Sequence, residues 1–206
     1  MDWLYAALVG YGFGSLPFAY WFGVLQGKNM LAEVVNLEFL PAWRVLGAVP
    51  AVMVMVLDAA KGLMAVALGE FVMRQSNPEL GGLLGGAFAV IGHCFSVWVL
   101  GRGGTGYTPA VGVLFAVNPL ILGAAAGLTA LGFLLRRSFN QALMLMGVLL
   151  PIASSTLTQN LTYLWFGLGI ALPMMLKLLL EQSLQANTAA PPQAAKPGAK
   201  KRRKRR

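Results

Sequence analysis

A chain of 206 residues that is 57% apolar and only 11% charged, with mean hydropathy +0.68, lies outside the range of water-soluble domains and inside that of polytopic membrane proteins. The net charge of +9 does not make a nucleic-acid-binding face: eight of the sixteen basic residues fall between Lys196 and Arg206, which leaves eight basic against seven acidic groups in residues 1–195. With Cys94 as the single cysteine, an internal disulfide and a thiolate metal cluster are excluded, and no metal site is expected.

The first apolar run begins after Asp2 with no Lys or Arg before it, and it outlasts a signal-peptide core without a clear small-residue cleavage site. It reads as a spanning helix over 3–25. A crossing takes about 20 apolar residues, or fewer for a short helix packed inside a bundle. Further spans are read at 49–73, 82–98, 107–118, 120–135, 141–157 and 160–181. The pair on either side of Asn118-Pro119 also fits one long helix kinked at the proline.

Counting that pair as two helices, with the N-terminus outside, puts Lys28, Arg44, Arg102, Arg136, Arg137 and the basic tail on the cytoplasmic side. Arg74 is then the one external loop cation, which is the positive-inside pattern. The expected fold is an all-α polytopic membrane protein, seven transmembrane helices in one bundle, some of them short, over residues 1–182. Paired glycines such as Gly81-Gly82 and Gly85-Gly86 would let neighbouring helices approach closely. Residues 183–206, Ala/Pro-rich and then basic, are expected as a disordered tail lying against anionic headgroups, where each cation contributes roughly 1 kcal/mol.

On this topology the loop 26–48, the segment 92–107, Arg136–Asn140 and the end of the last helix near Lys177 and Glu181 share one membrane surface. Asp58 and Lys61, three apart, lie on one helical face and can neutralise each other, either as a packing lock or in support of a nearby site. His93, near the inner end of its helix, can move a proton near neutral pH or hydrogen-bond a phosphate oxygen. Cys94 does not form a dyad with it, because adjacent helical residues point about 100° apart. The run "GRGGTG" at 101–106 offers unobstructed backbone N–H groups ahead of a helix N-terminus, with Arg102 as a charged donor; without a Lys-Ser/Thr ending it is not a Walker loop.

Four stretches, "GSLPFAYWFG" at 14–23, "LDAAKG" at 57–62, "GHCFSVWVLGRGGTG" at 92–106 and "GVLFAVNP" at 112–119, resemble in order and spacing the bacterial acyl-phosphate-dependent glycerol-3-phosphate acyltransferases. The resemblance implies a seven-helix inner-membrane enzyme, its C-terminus cytoplasmic by the charge placement above. Its substrates would be acyl phosphate and glycerol 3-phosphate and its product lysophosphatidate, with membrane lipid around it, no cofactor or metal and no nucleic acid. It implies His93 as the catalytic or proton-handling residue and Ser15 as a polar contact on the first helix. Arg102, Gly103, Gly104 and Gly106 would cradle phosphate in the family's "KGGKG" position, and Arg137 would match an arginine opening a third motif.

The departures are chemical. Where the family has a first loop like "GSGNIGATN" before an arginine, this chain has "EVVNLEFLPAWR", keeping Asn36 and Arg44. The second lysine of "KGGKG" is Thr105, a serine after the third-motif arginine is Asn140, and the family's ending is replaced by "MMLKLLLEQS". Each lost phosphate contact is worth about 1.5–3 kcal/mol, so Lys28, Asn36 and Arg44 become the candidates to replace what is missing. The leading expectation is a divergent acyltransferase. A non-catalytic scaffold or lipid-binding relative is the alternative, because of the rewritten first loop. A small transporter lacks the repeated halves that such folds show.

Overall fold

The first apolar run forms two helices, α1 (Asp2–Gly14) and α2 (Phe18–Leu25), because Pro17 has no N–H to continue the ladder and its ring disfavours the helical conformation for the residue before it. The computed structural model describes residues 1–189. The stretch from 26 to 47 is a folded cap: α3 (Met30–Glu33) and α4 (Phe39–Leu46) bury Met30, Leu37, Ala42 and Leu46 against Ala19, Ala51 and Val54.

The rest of the bundle is α5 (Ala48–Val72), α6 (Pro78–Cys94), α7 (Tyr107–Val117), α8 (Pro119–Arg136), α9 (Phe139–Thr158) and α10 (Thr162–Ala189). Among the described residues, six segments are long and apolar enough to cross a membrane: Asp2–Leu25, Ala48–Val72, Pro78–Val99, Pro119–Arg136, Phe139–Thr158 and Thr162–Leu184. A shorter apolar helix, α7, accompanies them. Its 11 residues rise about 16 Å at about 1.5 Å each, roughly half of a hydrocarbon core of about 30 Å.

At the proline that left two readings open, the chain breaks. Asn118 is extended (φ −164°, ψ 112°), its side chain accepts from the N–H of Leu120, and Pro119 opens α8. The last helix runs on to Ala189, past the point where the tail was expected to begin, and residues 190–206 of that tail lie outside the described residues.

Helix α6 sits at the centre, packed against α1, α5, α7 and α10. Its small residues permit this. A Cβ on Gly14 of α1 would stand 2.0 Å from the Ala89 carbonyl oxygen of α6, where no side chain can move aside. Gly14→Ala is therefore expected to lower stability by about 1–3 kcal/mol through overpacking. Gly12→Ala, on the exposed face with nothing within 4 Å of the new methyl, should change it by less than about 1 kcal/mol. Thermal unfolding of both variants in one detergent checks the contrast, and equal melting temperatures would show that α1 and α6 can part freely.

Candidate functional site

His93 lies one residue from the end of α6, 5% exposed, where the helix meets the chain returning towards α7. After Cys94 the backbone leaves the helix and makes one 3₁₀ turn at Val97–Val99. It then doubles back through Leu100 and Gly101, both at positive φ (52° and 78°). The return strand presses on the histidine: the Gly104 N–H donates to the His93 carbonyl at 3.2 Å. A Cβ on Gly103 would lie 1.7 Å from that oxygen, and one on Gly104 2.3 Å from His93 Nε2. The lack of a side chain at these two positions leaves room for the histidine.

Three charged groups line up with it. Asp58 and Lys61 pair at 2.8 Å within α5, both buried. Lys61 also donates to the Leu16 carbonyl at 2.8 Å, which the break before Pro17 leaves outside the helix ladder. Asp58 Oδ1 stands 3.7 Å from His93 Nδ1, so a carboxylate faces one ring nitrogen. On the other side, His93 Nε2 is 3.6 Å from Glu38 Oε1 and has no hydrogen-bond partner among the described residues.

Glu38, the residue just before α4, is the group that sequence reasoning missed. Its Oε1 accepts from the Thr105 hydroxyl at 2.7 Å and from the Gly106 N–H at 3.0 Å, and its Oε2 from the Thr108 hydroxyl at 3.4 Å. Burial would push this carboxyl up, but His93 and the Thr105 donors outweigh burial and hold it at about 2, so it is ionised across the physiological range. The signal was present in the sequence as an acidic residue inside a loop that was expected to receive phosphate.

Beside Glu38 opens a cavity of about 550 Å³ lined by Asn36, Glu38, Arg44, Thr105, Thr108 and Asn140, among others. The structure thus brings together Asn36 and Arg44 of the cap with Asn140 at the start of α9. The guanidinium of Arg44 is exposed and has no hydrogen-bond or ion-pair partner among the described residues. A second cavity of about 570 Å³ lies between the cap and α10, with Arg102, Lys177 and Glu181 on its wall.

Arg102, Arg137 and Lys28 stand apart from the histidine. The exposed Arg102 donates to the Leu31 carbonyl at 2.5 Å, and Arg137 ends α8 in the left-handed region (φ 53°), exposed. Ser15 is buried, lines the closed space around His93 and donates to the Tyr11 carbonyl at 2.7 Å. Lys28 donates to the Val45 carbonyl within the cap. The four segments expected on one surface do meet: Asn36 donates to Glu181 at 2.6 Å, Lys177 to the Gly101 carbonyl at 3.2 Å, and the Tyr107 and Phe139 rings stack edge to face at 5.5 Å.

A protein-family model described as glycerol-3-phosphate acyltransferase matches residues 4–187. The chain is similar to the glycerol-3-phosphate acyltransferase of Synechococcus sp. (strain JA-2-3B'a(2-13)), 34% identical over 173 residues that cover 81% of this chain and 82% of the relative. It is also similar to that of Desulforamulus reducens, 31% identical over 167 residues, covering 78% and 80%. Among solved structures, it resembles the crystal structure of PlsY (YgiH), an integral membrane glycerol 3-phosphate acyltransferase, in its glycerol 3-phosphate form. There the TM-score is 0.73 at 21% identity, over 91% of this chain and 93% of that one. The lysophosphatidic acid form matches with the same TM-score at 20% identity.

Proposed function

This chain belongs to the glycerol-3-phosphate acyltransferase family, and we propose that it takes its acyl group from an acyl phosphate, with His93 handling the proton. It is an integral, multi-pass membrane enzyme of phospholipid synthesis that acylates glycerol 3-phosphate to lysophosphatidate. The observation that carries the proposal is the histidine's setting: one ring nitrogen faces the Asp58 carboxylate at 3.7 Å, while the other is buried without a hydrogen-bond partner among the described residues.

In the reaction, the hydroxyl oxygen of glycerol 3-phosphate attacks the acyl carbonyl carbon and the bond from that carbon to the phosphate oxygen breaks. His93 Nε2 takes the hydroxyl proton and returns it to the departing inorganic phosphate, while Asp58 favours the ring's charged state during the transfer. An acyl phosphate is already activated, so placing the two substrates together does much of the work. Arg44, with Asn36 and Asn140 on the same cavity wall, receives a substrate phosphate. We place the N-terminus outside and the cap, the site and the C-terminus on the cytoplasmic side of a bacterial inner membrane, with the basic tail on anionic headgroups.

The test is lysophosphatidate formation by purified protein in lipid, with labelled glycerol 3-phosphate and either acyl phosphate or an acyl thioester as donor. Product from acyl phosphate alone is expected. Arg44→Ala should raise the KM for a phosphate-bearing substrate about tenfold or more, since a charge-assisted bond is worth about 1.5–3 kcal/mol. Turnover with the thioester in place of the acyl phosphate would sink the donor assignment, and unchanged KM values in Arg44→Ala would remove Arg44 from the site.

A further inference from the structure

His93 lines neither large cavity; the group between its Nε2 and the cavity of about 550 Å³ is Glu38, which lines that cavity and stands 3.6 Å from the ring nitrogen. Glu38 occupies a seat whose other members are all donors. The Gly106 N–H opens the 11-residue helix α7 with its positive dipole end, and the Thr105 and Thr108 hydroxyls flank it. Independently of the helix terminus, the Nε2 of a histidine that is 5% exposed points at the same seat, without a hydrogen-bond partner among the described residues. The lack of a side chain at Gly104 keeps seat and ring adjacent, because a Cβ there would fall 2.3 Å from Nε2 and 2.8 Å from Glu38 Oε1.

We propose that Glu38 is an internal stand-in for a substrate phosphate: in the free protein its carboxylate fills the α7 seat and covers His93, and the phosphate of an incoming substrate displaces it. Glu38 thereby sets the enzyme's affinity for its phosphate-bearing substrates. The chemistry of a phosphate monoester fits the seat, with oxygens for three donors and a neighbouring ring nitrogen that can hold a proton. The carboxylate has somewhere to go: residues 34–38 form no helix, and the cavity beside them carries the unpaired guanidinium of Arg44 on its wall. Acyl phosphate and glycerol 3-phosphate both bring the required group, and the inference rests on the acyltransferase reading only for these identities.

The experiment measures equilibrium binding of inorganic phosphate to the full chain in lipid nanodiscs, for wild type, Glu38→Gln and Glu38→Gly, alongside the KM for each substrate. The glutamine variant keeps the side chain's shape should the glycine variant fail to fold. Both variants are expected to bind phosphate about tenfold more tightly or better, since a carboxylate no longer competes for the donors. A fall in the KM for acyl phosphate assigns the seat to the donor, and a fall in the KM for glycerol 3-phosphate assigns it to the acceptor. Unchanged or weaker phosphate binding in folded variants overturns the proposal, as does a loss of kcat with phosphate binding unchanged, which would make the carboxylate part of the chemistry. A wild type that makes no lysophosphatidate while the variants still gain phosphate affinity would reject the donor and proton assignments and leave the stand-in role intact.

Discussion

Replacing His93 with alanine should lower kcat for lysophosphatidate formation by about two to four powers of ten, the usual worth of a positioned acid–base group. The size follows from how the ring is held. Helix α6 is packed on four sides, the loop at Gly103 and Gly104 closes over the ring, and Asp58 faces Nδ1, so the imidazole is fixed in place. His93→Gln separates hydrogen bonding from proton transfer: it keeps a polar group of similar reach but cannot cycle a proton near neutral pH. Parallel kinetics on the two variants, with folding verified by melting temperature, decide the role. If glutamine restores wild-type kcat, the histidine only positions substrate. If alanine itself turns over at the wild-type rate, it has no part in the reaction.

The second large effect is on stability. Lys61→Ala strips the buried Asp58 carboxylate of its partner at 2.8 Å and leaves the Leu16 carbonyl without its donor, in a site where both charged side chains are under 5% exposed. Removing one member of a buried pair costs about 3–5 kcal/mol, because the survivor keeps its charge but loses its compensation. The double variant Asp58→Asn with Lys61→Met removes both charges and should regain most of the lost stability. It should nonetheless stay slow, because His93 Nδ1 then faces a neutral amide. Unfolding midpoints and kcat measured together discriminate: a single variant as stable as wild type would mean that water or lipid headgroups already compensate Asp58.

Most of the fold was legible because a membrane imposes one rule, long apolar runs broken by loops, and hydropathy reads that rule directly. The Asn118-Pro119 break was readable for the same reason: a capping residue followed by a proline has few alternatives. The break at Pro17 was not anticipated, because hydropathy alone does not separate a continuous span from two helices in line. At the site, the Asp58–Lys61 pair follows from spacing on one helix, and His93 from its place at a helix end. Where Arg102 points was not readable from sequence: Leu100 and Gly101 turn the chain through positive φ, and its guanidinium reaches the Leu31 carbonyl of the cap. The role of Glu38 was missed for a related reason: its partners lie 67, 68 and 70 residues away, and only the folded loop brings them within reach.

The occupied seat also bears on how the protein is made. An anion-binding pocket that is empty while the chain is being inserted would leave backbone and hydroxyl donors unpaired in a medium that punishes them. Here the chain supplies the missing acceptor from its own cap, so these donors are paired in the folded protein without a bound metabolite.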